Sequence, residues 1–195
     1  MSKDARFIFY RTMPGAAIHA YDTCIGQGVG CVPIDVVVSV DASPATASVS
    51  YGAYRISRDG RYIAFGGSPG TPAPGATYAR DTCLGVTSAC TPTSVLLPTD
   101  TSVDSIRSDG QYVAVSTAET FGDPADTNNA GDVYVIKTCL GASSPCTQTA
   151  KRISVDAQGI QSGGGNATFS PDGARILYMQ FSFGNWVITE PLTLP

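Results

Sequence analysis

The six cysteines of the chain form three pairs of identical spacing, Cys24/Cys31, Cys83/Cys90 and Cys139/Cys146. Thiols repeated at so short a spacing can hold a metal ion or form disulfides. Zinc sites built on cysteine use Cys-x-x-Cys knuckles or nearby histidines, and His19 is the only histidine in the chain. The spacing therefore favours three disulfides, one within each pair, and an oxidising compartment.

A second group of candidate ligands lies in one acidic segment, residues 123–132. Its oxygen ligands would be Asp123, Asp126, Asn128 and Asp132. Calcium accepts about six to eight oxygen ligands, so a calcium site is one interpretation. The alternative is an Asx-rich turn, in which the side chains accept hydrogen bonds from their own backbone. The sequence leaves both open, and we expect no cofactor other than this calcium.

The patterns that resemble catalytic motifs are better explained by turns. Residues 66–70 match the Gly-x-Ser-x-Gly pattern of a nucleophile elbow, which requires a strand-to-helix turn and a histidine further along the chain. No helical pattern follows this segment, and His19 precedes it. Asp59, Asp109 and Asp172 recur at one position, but each precedes a glycine at a predicted hairpin tip. We expect a protein that is not an enzyme, because no general base, metal cage or nucleophile pair emerges.

A structural repeat spaces these residues. An Asp-Gly dipeptide joins two β-rich runs in residues 56–65, 106–115 and 169–178. This dipeptide predicts a hairpin with a type I′ turn, in which both central residues have positive φ. A third strand then ends at the first cysteine of a pair, and a fourth strand follows the second cysteine. Four antiparallel strands in units of about fifty residues are typical of propeller blades.

The strand count predicts an all-β chain that forms a single β-propeller array over residues 1–195, with about three and a half to four blades. The approximate units are 1–41, 42–100, 101–156 and 157–195, of which the first and last are partial. Each disulfide would close the loop between the third and fourth strands of a blade. Trp186, on the third strand of the last unit, is expected in the core.

The composition excludes several classes of partner. Charged residues make up 14% of the chain and the net charge is −4, whereas nucleic acids and anionic membranes require a basic surface. No apolar run approaches the roughly 20 residues of a membrane-spanning helix. We therefore expect no nucleic-acid partner and no membrane span.

The repeat resembles a known group of propellers. Residues 169–178, Phe-Ser-Pro-Asp-Gly-Ala-Arg-Ile-Leu-Tyr, are similar to the consensus of the TolB-like, WD40-like (PD40-type) bacterial β-propeller repeats. Residues 121–135 and the Asp-Thr-Cys-Leu-Gly…Cys loops resemble an exported branch of that group. The resemblance implies a β-propeller of a kind used mostly for binding, assembly or accessory roles.

The two ends of the array suggest a role. The first unit lacks its first strand and the last lacks a clear fourth strand, which leaves strand edges able to pair with another chain. The predicted assembly strand is Arg6, Phe7, Ile8, Phe9 and Tyr10. We expect an exported, extracellular or periplasmic structural module whose subunits exchange strands to form an oligomer or filament. The alternatives are an intramolecular four-bladed closure, a fragment of a longer propeller, and a ligand- or glycan-binding propeller module of a larger secreted protein. The sequence opens without a recognisable leader, so either the leader has been removed or the chain is a piece of something longer.

Overall fold

The computed structural model describes residues 1–12, 17–40, 49–67, 75–121, 125–142, 144–156, 158–181 and 185–188. Within these ranges the chain is built from β-strands and turns, with no α-helix. No helix in the described part is therefore long and apolar enough to cross a membrane. The segments that contain Ser68 and Asp123 lie outside the described residues.

The strands form four antiparallel sheets, one after another along the chain. Blade 1 contains β1 (Phe7–Arg11), β2 (Ile18–Asp22) and β3 (Ile34–Val37). Blade 2 contains β4 (Val49–Ile56), β5 (Tyr62–Gly67), β6 (Thr77–Asp81) and β7 (Thr93–Leu97). Blade 3 contains β8 (Ser102–Ile106), β9 (Tyr112–Thr117), β10 (Asp132–Lys137) and β11 (Ala150–Arg152). Blade 4 contains β12 (Gly164–Phe169), β13 (Ile176–Gln180) and β14 (Asn185–Ile188).

Each sheet is a meander in which strands adjacent in sequence are hydrogen-bonded neighbours. The middle blades have four strands, and the described parts of the first and last blades have three. Blade 1 begins with the strand that takes the second place in blades 2 and 3, as the sequence predicted. The β-propeller fold class is thereby confirmed.

The hairpin between the first two strands of a blade differs from the prediction. Gly60, Gly110 and Gly173 have φ of 85°, 71° and 71°, but the aspartates before them do not have positive φ. The Gly60 amide donates to the Ser57 carbonyl at 3.0 Å, so the loop is a longer turn with one left-handed residue at its end. The type I′ prediction is wrong, because the Asp59 carboxylate accepts hydrogen bonds from Ser57 and Arg61 and holds the wider loop closed.

The core lies between the blades. Successive residues of a strand point to opposite faces of the sheet, so each central strand contacts both neighbouring blades. On β5, Ile63 and Phe65 pack with Ile18 of blade 1, whereas Ala64 packs with Val113 of blade 3. A third cluster joins blade 3 to blade 4 in the same way. The fold is held together by three apolar interfaces between the sheets.

Candidate functional site

The predicted assembly strand lies at the edge of blade 1. Among the described strands, β1 pairs with β2 alone, so its other backbone edge has no strand neighbour in the part of the chain that the structure describes. Phe7 and Phe9 point toward blade 2, and Arg6 pairs with Asp22. Ile8 and Tyr10 are on the opposite face and are exposed. Three of the five predicted residues therefore anchor β1 to the rest of the chain, and the other two, Ile8 and Tyr10, are exposed.

The open face of blade 1 carries a polar cluster that the sequence did not reveal. The Tyr10 hydroxyl donates to Asp35 Oδ2 at 2.6 Å, and His19 Nδ1 lies 3.3 Å from Asp35 Oδ1. The rings of Tyr10 and His19 stack with centroids 5.3 Å apart. The hydrogen bond to the carboxylate raises the pKa of Tyr10. Only the register of three strands brings these residues together, and no local motif contains them.

Blade 2 has a matching pair at the same position of its sheet. Phe65 and Tyr78 stack with centroids 5.5 Å apart, and both are buried against blade 1. The open face of blade 1 therefore corresponds to a face that is covered in the next blade. We call the face of a blade that is directed toward the preceding blade its leading face, and the opposite one its trailing face.

The trailing face of blade 4 is also open. On β14, Trp186 is 58% exposed and Ile188 is 65% exposed. They pair with Met179 and Leu177 of β13, so one continuous face carries four apolar side chains. The prediction that Trp186 lies in the core is wrong, because no described residue packs over this face.

The three predicted disulfides are present, Cys24–Cys31, Cys83–Cys90 and Cys139–Cys146. Cys24–Cys31 closes the loop after β2, and the other two bonds close the loops after β6 and β10, the third strands of blades 2 and 3. Two of these loops place an aspartate near both sulfurs, in the groups Asp22/Cys24/Cys31 and Asp81/Cys83/Cys90. The sulfurs are bonded to each other, and the carboxylates pair with Arg6 and Arg61. These groups are structural staples, and their composition fits a protein that folds in an oxidising, exported compartment.

Two side chains of the acidic segment accept hydrogen bonds from backbone amides of that segment, and another forms an ion pair with an arginine. Asp126 accepts from the Asn128 amide at 3.0 Å, and Asn128 accepts from the Ala130 amide at 2.8 Å. These contacts are the Asx turns of the alternative interpretation. Asp132 is buried and ion-paired to Arg152, with Nε to Oδ2 at 3.1 Å. Asp132 thus has a partner that the sequence did not predict, and calcium binding by the other residues stays a prediction.

The ion pair of Asp132 and Arg152 is built into the interior of blade 3. Ser154 donates to Asp132 Oδ1 at 2.7 Å, and Arg152 donates to the Tyr134 hydroxyl at 2.6 Å from Nη2. Burial raises the pKa of the Asp132 carboxyl. Both carboxylate oxygens of Asp132, and Nε and Nη2 of Arg152, have partners within the blade, and such partners are the condition for tolerating buried charges.

A cavity of about 550 Å³ opens between the first strands of blades 2, 3 and 4. Its wall includes Arg55, Arg58, Asp104, Phe169 and Ser170. Arg55 donates from Nε to the Asp104 carbonyl at 2.9 Å, and burial raises the pKa of the Asp104 carboxyl. Two guanidinium groups beside an aromatic ring could bind an anionic group. At this cavity the first strands of three blades form a common concave surface.

The recurring hairpin aspartates have structural roles. Asp59 and Asp172 accept from the serine two residues earlier, at 2.5 Å in both cases, and Asp109 pairs with Arg107 at 2.6 Å. They cap the turns and do not form a ring of free carboxylates. The interpretation of these residues as turn formers is confirmed.

Comparison with solved structures identifies the fold. A protein of Agrobacterium tumefaciens described as a TolB matches 96% of this chain with a TM-score of 0.54 and 16% identity. TolB from Acinetobacter baumannii matches 99% with a TM-score of 0.50 and 18% identity. A weaker match is the Kuenenia stuttgartiensis hydrazine synthase, with a TM-score of 0.48, 15% identity, and 96% of this chain and 50% of that chain covered. At this level it indicates nothing about activity.

The chain has the fold of the TolB propellers. It spans 54% and 43% of the two TolB chains, about half of their length. No protein-family model and no curated protein matches the sequence.

Proposed function

We propose that the chain is a non-enzymatic, extracellular assembly module whose copies join through the incomplete blades at its two ends. The observation that carries this proposal is the state of blade 1: within the described residues, β1 has no strand neighbour on its outer edge, and the leading face of the blade is open. On that edge Ser2 bonds to the amide and the carbonyl of Phe7, so pairing with another strand would begin at Phe9. An edge strand with unpaired amides and carbonyls accepts another strand readily. Donor-strand addition from a second copy would satisfy those groups and complete the blade.

The anchoring of β1 supports this role. Arg6 grips Asp22 through Nε at 3.1 Å and Nη2 at 2.9 Å, and the buried Phe7 packs beside Gly60 and Gly85 of blade 2. Ser2 is buried, and the Lys3 amide donates to the Arg58 carbonyl at 2.9 Å. The start of β1 is therefore fixed to β2 by Arg6 and to blade 2 by Lys3 and Phe7, which holds the strand in place for pairing with another chain.

The residues that could have carried chemistry support a non-enzymatic role. His19 contacts Tyr10 and Asp35, the hairpin aspartates cap turns, and the cysteines are bonded in pairs.

Amide hydrogen exchange tests the proposal directly. In a dilute sample, the Phe9 amide, which points away from β2, should exchange rapidly, and raising the protein concentration should protect it. The Phe7 amide donates to Ser2 Oγ at 2.9 Å and should be protected at every concentration. The amides of β9, in the middle of blade 3, are the internal control and should be protected at every concentration. Exchange at Phe9 that does not change with concentration would contradict strand pairing between copies.

A second candidate function rests on the cavity between blades 2, 3 and 4. Arg55 and Arg58 would supply charge for an anionic ligand and Phe169 an apolar surface. A ligand- or glycan-binding module would bind there as a monomer. Calorimetric titration with acidic peptides and with acidic oligosaccharides, repeated on Arg58→Ala, distinguishes this candidate from assembly.

A further inference from the structure

The open leading face of blade 1 matches, position by position, faces that are buried elsewhere in the chain. Ile8 takes the place of Ile63, and Tyr10 takes the place of Phe65, as the pairing of β1 with β2 and of β5 with β6 shows. Ile8 is 41% exposed, whereas Ile63 and Phe65 are 0% exposed. Both pairs combine an aliphatic and an aromatic side chain, and no described blade covers the pair on blade 1.

The first disulfide loop shows the same difference. Leu140 follows the first cysteine of the third pair and is buried in the cluster between blades 2 and 3. Leu84, at the same place in the second pair, packs into the cluster between blades 1 and 2. Ile25 holds that place in the first pair and is exposed. The leading face of blade 1 therefore extends from the sheet to its disulfide loop.

The opposite end of the chain offers a complementary surface. In the interior, the trailing residues Ala64 and Ala79 pack with leading residues of the next blade, such as Val113. Leu177 and Ile188 occupy the matching positions of blade 4. Ile188 is exposed, as is Trp186 beside it. A trailing face of the type that covers a leading face thus lies open on the same molecule.

These two open faces do not cover each other within one chain, because both stay exposed when the described residues are taken together. We infer that the trailing face of blade 4 in one copy packs on the leading face of blade 1 in a second copy, continuing the stacking seen between blades 1, 2, 3 and 4. This inference rests on the proposed self-assembly and specifies its side-chain interface. A contact between two different faces is heterologous, so it forms a ring if the rotation closes and a filament if it does not.

A second copy is favoured over a small ligand by the continuity of the pattern. The aromatic pair Tyr10 and His19 could stack on a sugar, but the same position holds a buried pair, Phe65 and Tyr78, where blade 1 covers blade 2. A flat sheet face with alternating apolar residues fits another sheet face. The copy that covers this face also lies beside the free edge of β1.

The test uses one variant for each face. Tyr21 is 39% exposed on the leading face and Ile188 lies on the trailing face, so Tyr21→Asp and Ile188→Asp each place a charge where the partner would bury it. Each variant alone should assemble at least about tenfold more weakly than the wild type, because burying an unpaired charge opposes association. Ile160→Asp, at an exposed apolar residue in the loop after β11, is the matched control and should assemble normally.

Mixing the two variants gives the sharpest result. Tyr21→Asp keeps an intact trailing face and Ile188→Asp keeps an intact leading face, so an equimolar mixture should form dimers and stop there. Circular dichroism of each variant checks that it is folded. Dimers of Ile188→Asp alone would indicate a contact between two leading faces and overturn the inference.

The outcomes separate this inference from the proposed function. If the wild type assembles and both face variants assemble equally well, the face-to-face inference is wrong while self-assembly stands. If the wild type stays monomeric, both proposals are wrong.

Discussion

The ring of Tyr62 in blade 2 lies directly against Gly110 at the hairpin tip of blade 3. A β-carbon at Gly110 would come within 2.6 Å of Tyr62 Cε1 and 2.7 Å of Cγ. The same contact recurs one blade earlier, where a β-carbon at Gly60 would lie 2.9 Å from Phe7 Cδ2. The hairpin glycine therefore serves the turn and also the packing of one blade on the next.

Replacing this glycine tests the packing between blades 2 and 3. Gly110→Ala should lower the free energy of unfolding by about 2–4 kcal/mol, through the cost of positive φ and of overpacking. Gly141→Ala is the matched control, since Gly141 has a φ of 69° but nothing within 4 Å of its β-carbon. It should cost only about 1 kcal/mol. Equal losses in the two variants, measured by denaturant unfolding, would show that Tyr62 does not constrain the turn.

The ion pair of Arg6 and Asp22 gives blade 1 a dependence on pH. Hydrogen bonds from Arg6 hold the pKa of Asp22 below its ordinary value of 3.8. As the pH falls, Asp22 therefore takes up a proton in the unfolded chain before it does so in the folded chain. The stability that the ion pair contributes is fully present above the ordinary pKa of 3.8. It is lost as the pH falls through the pKa of Asp22 in the folded chain.

Asp22→Asn should be less stable than the wild type at neutral pH, by about 1–2 kcal/mol. The difference in melting temperature between the two proteins should shrink when the pH is lowered from about 6 to about 3. Glu119→Gln, at an exposed position, should show no such convergence. A difference that stays constant over this pH range would contradict the role assigned to the pair.

Removing a disulfide should lower the stability of the protein by a similar amount in each loop, but the effect on assembly should depend on which loop is changed. Replacing Cys83 and Cys90 together by alanine should cost about 2–3 kcal/mol, the loop-closure estimate for so short a loop. Assembly should persist, because this loop packs on the covered trailing face of blade 1, beside Phe7, and not on either open face. If this double variant fell apart into monomers while remaining folded, the location of the interface would be wrong.

The buried pair of Asp132 and Arg152 should dominate the stability of blade 3. Arg152→Leu leaves the carboxylate without its partner and should cost about 3–5 kcal/mol. Lys151→Leu, at the exposed neighbouring position of β11, is the control and should cost far less. The loss should be the same with and without calcium, because Asp132 faces Arg152. If added calcium restored the stability of Arg152→Leu, Asp132 would be a calcium ligand.

The sequence repeat was enough to predict the blades. The equal cysteine spacing located the loop after each third strand, and the Asp-Gly dipeptides located the first hairpins, because both features are local in the chain. The turn type was missed since the Asp59 side chain, by accepting from Ser57 and Arg61, stabilises a wider loop than Asp-Gly alone favours.

The open surfaces could not be predicted in the same way. Alternation along β1 and β14 gives each strand two faces, but it does not show which of them another blade covers, as the exposed Trp186 illustrates. Tyr10 and Asp35 are joined across 25 residues of sequence, and only the register of β1, β2 and β3 places them in contact. Long-range register and the presence of a neighbouring blade are properties of the whole fold.

The mass of the full chain in solution is the most direct test of the assembly account. Light scattering on the purified, disulfide-bonded protein, over a wide range of concentration, should show an average mass that rises well above that of one chain, with electron micrographs showing rings or filaments. A single species with the mass of one chain at every concentration would contradict the account.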